Sequence, residues 1–203
     1  MEQLIYNRHD EAVTSSLLVA EKFHKRHPDV MRKIRQLESD LRSTQNCTDQ
    51  KMFLKSYYTD VQNKNEPIYF MNRDGFSLLV MGFTGKEALE WKLKYIQAFN
   101  DMEHFIKTRV DSREIQKKSM AFLHSNLELP EKKDYIKANQ ITNKATSLRH
   151  GYQKLIKKDQ MSEDMLVDRD VILQDTVELM AMKEKFSLDV CVSEKIYQKY
   201  AGA

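Results

Sequence analysis

The chain has 203 residues, of which 41% are hydrophobic and 31% are charged, and its net charge is +3. This length accommodates one large or two small domains, each with a hydrophobic core. So small a net charge does not by itself indicate nucleic-acid binding, which would depend on local clusters of charge. No apolar run approaches 18 residues and no charged start precedes an apolar signal core, so neither a membrane span nor export is expected. We therefore predict a cytoplasmic protein with no membrane partner.

The first predicted elements are two helices joined by a turn, preceded by a short strand or arm over residues 1–8. The first helix is expected to start with hydroxyl capping at Thr14 and to stop near His24. The second is expected to begin at Pro28, since proline suits the first helical position. Its apolar positions recur at helical spacing: Val30, Ile34, Leu37 and Leu41. Two short helices separated by a few residues predict a helix-turn-helix.

A β-hairpin is predicted after the second helix. Residues 52–61, MFLKSYYTDV, carry the aromatic and β-branched side chains that are typical of strands. The polar sequence QNKNEP then turns the chain into a second strand, IYFMN, with Pro67 at its edge or start. A hairpin of this size has the dimensions of a wing, and we expect its tyrosines to pack on the sheet: Tyr57, Tyr58 and Tyr69.

Two further helices are predicted before the chain becomes polar. Asp74 can cap a short apolar helix, GFSLLVMG, although the same run can be interpreted as a strand. Gly82 ends this element and Thr84 starts the next helix, whose apolar residues form one continuous stripe: Trp91, Tyr95, Phe99, Met102 and Ile106. Such a stripe is typical of core or of helix pairing rather than of a cofactor site.

The remaining sequence favours helices throughout. Residues 107–129 predict a helical connector, and Pro130 marks the start of an all-helical segment of about 70 residues. Charge divides within this part of the chain: residues 117–158 hold ten Lys and Arg against three Asp and Glu, and residues 159–194 hold three against ten. Either the two halves fold onto each other, or each half meets a different partner.

The candidate binding residues lie in the stretch HKRHPDVMRKIRQ. If the apolar positions of the second helix face the core, cationic and amide side chains face outward, with three more polar residues in the turn: Lys25, Arg26, His27, Arg32, Lys33, Arg35 and Gln36. Arginine suits guanine edges and phosphates, glutamine can pair with adenine, and lysine can bind backbone phosphate. Taken alone, a basic helix is more often a solvated face, and Asp29 places one unfavourable charge near any phosphate.

No residue pattern predicts an enzyme, a cofactor or a metal site. The sequence lacks a Gly-rich phosphate loop, a nucleophile elbow and a paired-carboxylate motif. His24 and His27 are three residues apart but have no nearby carboxylate or thiol partners, so we favour phosphate or capping contacts for them. Cys47 and Cys191 are interpreted as buried or unreactive thiols, and the sequon at residues 46–48 matters only in a secreted protein.

Three sequence blocks resemble the phage regulatory protein Rha family. They are KRHPDV, NRDGFSLLVMGFTG and WKLKYIQAFNDME, in that order, and the resemblance covers about half of the chain. It implies a regulator of temperate phages or prophages with a DNA-binding, winged-helix-like amino-terminal domain, distantly similar to Bro-N-type antirepressors. Residues 134–186 resemble the carboxy-terminal region that is attached to Rha domains in some phages of Gram-positive bacteria. The resemblance supplies no base-contacting residues.

These observations predict an α+β protein with three parts. Residues 1–106 form a winged-helix-like domain with a small β-hairpin, residues 107–129 a helical connector, and residues 130–203 an all-α domain for assembly or partner binding. We expect a non-enzymatic regulator in the cytoplasm of a bacterial host, which binds double-stranded DNA and pairs with a second copy to extend the site. The alternative is an antirepressor or host-factor binder that acts by contact with a phage or host regulatory protein.

Overall fold

The structure, a computed structural model, describes residues 3–43 and 52–200. The chain divides into two compact units, Met1–Ile106 and Lys107–Ala203. All described strands lie in the first unit and the second is helical, so the predicted α+β class is confirmed. The predictions made for Cys47 and for the sequon at residues 46–48 lie outside the described residues.

The first unit begins with a strand hairpin and two helices. Its elements, in chain order, are β1 (Tyr6–Arg8), β2 (Glu11–Ser15), α1 (Ser16–Lys22), α2 (His27–Ser43), β3 (Phe53–Thr59), β4 (Asn65–Met71), α3 (Arg73–Val80) and the part of α4 (Lys86–Asn126) up to Ile106. The short amino-terminal strand and the β3–β4 hairpin follow the sequence predictions, and the apolar run after Asn72 is a helix rather than a strand. Strand β2 was not predicted.

The four strands form one antiparallel sheet in the order β1-β2-β4-β3. A two-residue turn joins β1 to β2, and both of its residues, His9 and Asp10, have positive φ, which is the backbone of a type I′ hairpin. Strand β2 then pairs with the end of β4, Thr14 opposite Met71. Pro67 lies in β4 outside that short ladder, where the missing amide of proline costs no β2–β4 bond.

Two helix caps differ from the prediction. Thr14 belongs to β2, where its buried hydroxyl donates to the carbonyl oxygen of Leu4 at 2.9 Å. The cap of α1 is Ser15, whose side chain accepts from the amide of Leu18. Likewise Asn72 caps α3 instead of Asp74. In both cases the capping residue is the one that leaves a strand, so its backbone is extended as a cap requires.

An aromatic cluster forms the core of the first unit. The rings of Phe76 and Tyr95 stack with centroids 4.4 Å apart, and Phe23, at the end of α1, contacts Phe83 at 5.1 Å. The predicted stripe on α4 packs against this core, with Tyr95, Phe99 and Ile106 buried and Trp91 and Met102 partly buried. The ring of Phe23 also lies 6.3 Å from that of Phe76 in α3 and 6.0 Å from that of Tyr95 in α4, so apolar contacts to both helices hold the turn after α1.

The second unit is built from the end of α4 and three more helices. These are α5 (Lys132–Arg149), α6 (Glu163–Lys185) and α7 (Val192–Tyr200), with one 3₁₀ turn at Lys158–Gln160. The expected connector is the continuation of α4, and its Leu123 lies in the core of this unit. Helix α5 packs on α6, so the basic and acidic halves meet, with Arg149 2.9 Å from Asp168. Cys191 is exposed, which corrects the buried alternative for that thiol.

A buried polar network joins α4, α5 and α6 in this unit, and Ser112 of α4 donates to the carboxylate of Asp170 in α6 at 2.8 Å. Arg169 is 1% exposed and donates to the side-chain oxygens of Asn143 at 2.7 Å and Asn139 at 2.8 Å. Burial lowers the pKa of Arg169 and raises that of the neighbouring Asp170. Burial, together with the charge of Arg169, also lowers the pKa of Lys158 to about 8.

Candidate nucleic-acid interface

A single buried serine fixes α2 to α1 and to the sheet. Ser16, the first residue of α1, is fully buried, and its Oγ lies 3.0 Å from Nε2 of His27 and 3.4 Å from the sulfur of Met31. The same Oγ accepts the backbone N–H of Tyr69 in β4 at 3.0 Å. Three elements therefore meet at one hydroxyl group, and Val30 and Ile34 complete the buried side of α2.

The predicted outward side of α2 is exposed. Arg32, Lys33, Arg35 and Gln36 all face solvent, whereas Leu37 and Leu41 are only partly buried. Arg32 bonds the carboxylate of Asp29 at 2.9 Å, so the acid nearest the amino terminus of this helix is already paired with a candidate residue. Residues 24–43 hold six Lys and Arg against three Asp and Glu, which leaves this segment clearly basic.

The turn between α1 and α2 presents further cations. Arg26 is exposed and lies 3.7 Å from Asp29, and Lys25 lies over the ring of Phe83 at 5.6 Å. His24 adopts a positive φ of 49°, a backbone conformation in which non-glycine residues are uncommon. Its imidazole bonds Glu87 at 2.9 Å rather than a metal partner.

His27 occupies a different environment from the other candidate residues. It is partly buried and its Nε2 bonds Ser16, so this nitrogen faces the protein interior. Burial lowers the pKa of His27, and Glu66 opposes that effect. The imidazole is therefore neutral at pH 7 and positions α2, while Lys25 and Arg26 supply the charge of the turn.

The β3–β4 hairpin lies next to α2. Tyr69 is buried as predicted, and its hydroxyl donates to the Glu38 carboxylate of α2 at 2.9 Å. Tyr57 is 62% exposed, which differs from the expected packing on the sheet, and Lys55 lies over its ring at 5.9 Å. At the tip, the Asp60 side chain accepts two backbone amides, those of residues 62 and 64. This tip is ordered by its own hydrogen bonds.

Folding brings together basic residues that the sequence separates by some sixty positions. A cavity of about 300 Å³ lies between the turn after α1 and the start of α4, and we call it the lysine cavity. Its lysines are Lys22, Lys25 and Lys86, and its floor is aromatic: Phe23, Phe83 and Trp91. Sequence reasoning identified Lys25 but missed Lys22 and Lys86, since no local pattern links α1 to the first turn of α4.

Two other features that would suggest a different function, a membrane-spanning helix and a metal site, are not found in the described part of the chain. None of its helices has the length and apolar composition to cross a membrane. Within residues 3–43 and 52–200, no three His, Cys, Asp or Glu side chains gather closely enough to hold a metal ion.

The fold defines the chain as an α+β protein in which a small sheet and two turn-linked helices present a basic helix face, followed by an all-helical unit. Residues 14–104 match the family model of phage regulatory protein Rha. The matched segment is less than half of the chain, and it confirms the resemblance to the Rha family that the three sequence blocks indicated.

Two related proteins extend the comparison. The chain is 28% identical over 161 residues to an uncharacterized 22.8 kDa protein from the gp15–gp3 intergenic region of Salmonella phage P22, covering 78% of this chain and 72% of that protein. It is 34% identical over 98 residues to an uncharacterized protein of Haemophilus influenzae, covering 47% of this chain and about half, 54%, of that protein. No solved structure matches the chain.

Proposed function

We propose that this protein is a phage regulator that binds double-stranded DNA through α1, the following turn and α2, and so controls gene expression. The observation that carries the proposal is the exposed side of α2, where Arg32, Lys33, Arg35 and Gln36 face solvent on a helix fixed from behind by Ser16. These side-chain types suit guanine, adenine and phosphate contacts. The similarity of residues 14–104 to a family of phage regulatory proteins supports the same role.

The topology of the first unit supports a winged-helix mode of binding. Strand β2 precedes the two helices and the β3–β4 hairpin follows them. The second strand of that hairpin, β4, pairs with β2. This arrangement is characteristic of winged helices, in which the second of the two helices enters the major groove and the hairpin lies beside it. Here these elements are α2 and the β3–β4 hairpin with its exposed Tyr57.

DNA binding through this face requires Arg32 and Arg26 to give up their contacts with Asp29. Its carboxylate pairs with Arg32 at 2.9 Å and lies 3.7 Å from Arg26, so in the free protein it neutralises part of the face. These pairs are exposed, and exposed ion pairs contribute only about 0.2–1 kcal/mol. A phosphate or guanine can therefore replace the carboxylate at small cost.

The proposal is tested with the double variant Arg32→Ala/Arg35→Ala. We expect affinity for duplex DNA to fall roughly 30-fold or more, since each lost arginine contact to a base contributes about 1–3 kcal/mol. The dependence of log K on log salt should also flatten by about 0.9 for each lost phosphate contact. Fluorescence anisotropy with phage DNA fragments measures both quantities, and the same titration gives the stoichiometry that reports pairing of two copies.

The matched control is Lys132→Ala/Lys137→Ala, which removes the same charge from exposed positions of α5. Circular dichroism should show that both double variants retain the fold, because all four side chains are exposed. If the two double variants bind DNA as tightly as the unmodified protein, Arg32 and Arg35 are not part of a DNA interface.

A second candidate function is contact with a phage or host regulatory protein, as in an antirepressor. Exposed apolar side chains in the second unit favour it: Val167 and Val171, one turn apart on α6, are 58% and 50% exposed, and Phe186 is 62% exposed. Recovery of bound protein from infected cells with and without nuclease separates the two functions. A complex that survives nuclease supports protein contact, whereas a complex that nuclease removes supports DNA binding.

A further inference from the structure

The lysine cavity concentrates positive charge beside the turn of the proposed DNA-binding unit. Lys22 has a side chain that is only 8% exposed, and Lys25 and Lys86 lie at the same opening. Glu87 is the one carboxylate among the lining residues, and it is bonded to His24 at 2.9 Å. Glu21 does not line the cavity but pairs with Lys22 at 2.6 Å. The lining thus has three lysines against one acid, and because Glu21 pairs with Lys22, the excess positive charge comes from Lys25 and Lys86.

The aromatic floor holds two of these lysines in place. The ammonium group of Lys22 lies 5.6 Å from the ring centre of Trp91, and that of Lys25 lies 5.6 Å from the ring centre of Phe83. Cation–π contacts at such distances are favourable and orient the cation over the ring. Because aromatic carbon displaces water on this side, an anion in the cavity interacts more strongly with the ammonium groups than it would on an open surface.

The start of α4 completes the lining. The first helical hydrogen bond here runs from the amide of Leu89 to the carbonyl oxygen of Gly85, so the amide groups of residues 86–88 precede the helical ladder. Gly85 has a positive φ of 103°, which lets the chain turn into the helix beside the cavity. Lys92 stabilises this turn by donating to the carbonyl oxygen of Phe83 at 2.7 Å.

We propose that the lysine cavity binds one phosphate group. Lysine ammonium groups act as point charges that approach a tetrahedral anion from several directions, whereas a planar carboxylate is better matched by the fork of an arginine, and no arginine lines the cavity. Helix-start amides add donors to the same anion. The phosphate is that of the DNA backbone next to the turn of residues 23–26, an assignment of its source that rests on the proposed function.

The experiment compares Lys86→Gln with Lys107→Gln. Both lysines are exposed on α4, and about 32 Å of helix separates them at 1.5 Å per residue, so the charge change is the same at a remote site. Inorganic phosphate and adenosine monophosphate are titrated while the amide NMR signals of residues 85–88 are followed. Binding to duplex DNA of random sequence is then measured over a range of salt concentrations.

We expect saturable shifts of these amides with inorganic phosphate, and a dissociation constant roughly three- to tenfold higher in Lys86→Gln but unchanged in Lys107→Gln. With DNA, the salt slope should fall by about 0.9 in Lys86→Gln alone. If the salt slope stays unchanged while adenosine monophosphate binds tightly, the cavity is a phosphate site whose ligand is a free phosphate monoester rather than the DNA backbone.

The proposal is overturned if residues 85–88 do not respond to phosphate, or if Lys86→Gln and Lys107→Gln bind it equally. Failure of the proposed function gives a different result, since an unmodified protein that binds no duplex DNA can still show the phosphate shifts. The two hypotheses are therefore tested separately in the same set of samples.

Discussion

Removal of one hydroxyl group at Ser16 should weaken the whole first unit. Ser16→Ala keeps the backbone and the Cβ of the first residue of α1, and it deletes only the Oγ atom that contacts α2 and β4. The change is therefore small in volume. Its effect comes from the polar groups that lose their partner, chiefly the backbone amide of Tyr69 and the imidazole of His27.

The size of the effect follows from the burial of these two partners. Tyr69 is 4% exposed, so its amide cannot turn to solvent, and an unsatisfied buried donor costs about 1–3 kcal/mol. His27 is partly exposed and water can replace some of its lost bond, so about 0.5–1.5 kcal/mol is appropriate there. We expect the free energy of unfolding to fall by about 2–4 kcal/mol, a large part of the stability of a unit of this size.

Urea denaturation followed by tyrosine and tryptophan fluorescence measures this change, because Trp91 and Tyr95 both pack in the first unit. The control is Ser39→Ala on the exposed side of α2, which should change the free energy of unfolding by less than about 0.5 kcal/mol. A loss below about 0.5 kcal/mol in Ser16→Ala would refute the reasoning, since it would mean that Tyr69 finds another acceptor.

Two further predictions concern pH and packing. Because burial lowers the pKa of His27, the unfolded chain takes up a proton before the folded protein does as the pH falls below about 6.5. We therefore expect the free energy of unfolding to decrease from that pH downward. Urea denaturation at several pH values should show that His27→Gln lacks this part of the decrease. Equal pH profiles for both proteins would contradict this. A Cβ at Gly75 would lie closer than 3.0 Å to the carbonyl oxygen of Met52, so Gly75→Ala should cost about 1–3 kcal/mol. Gly82→Ala, with no atom within 4 Å, should change stability by less than about 1 kcal/mol, and similar melting temperatures for the two alanine variants would rule out the steric argument.

The elements that local pattern controls were predictable. The stripe from Trp91 to Ile106 repeats at helical spacing, and its residues pack against the core of the first unit as expected. The β3–β4 hairpin is likewise specified by strand-forming residues on both sides of a polar turn. The exposed side of α2 followed from the buried positions of Val30 and Ile34. In each case the information lies within one continuous segment.

What could not be predicted depends on pairing between distant segments. Strand β2 has only five residues and takes its place in the sheet from β4, more than fifty positions away. The cap of α1 is Ser15 rather than Thr14 because the pairing with β4 extends the strand through Ser15, which is its last residue and directly precedes the helix. The sequence leaves phosphate and capping contacts open for His27, and it does not indicate the contact of its Nε2 with Ser16 on the preceding helix. A single sequence carries no signal for such contacts.

The network around Arg169 determines which rotation of α5 against α6 is tolerated. Asn139 and Asn143 are one turn apart on α5, and the guanidinium group of Arg169 on α6 reaches both. A slip of one residue would rotate α5 by about 100° and carry both acceptors away, leaving a buried cation without them, at a cost of about 3–5 kcal/mol. We expect apolar replacements at all three positions to hold the helices together about as well, but without the hydrogen bonds that distinguish one register from another. We therefore infer that Arg169 contributes more to the selection of one register between α5 and α6 than to the strength of their packing.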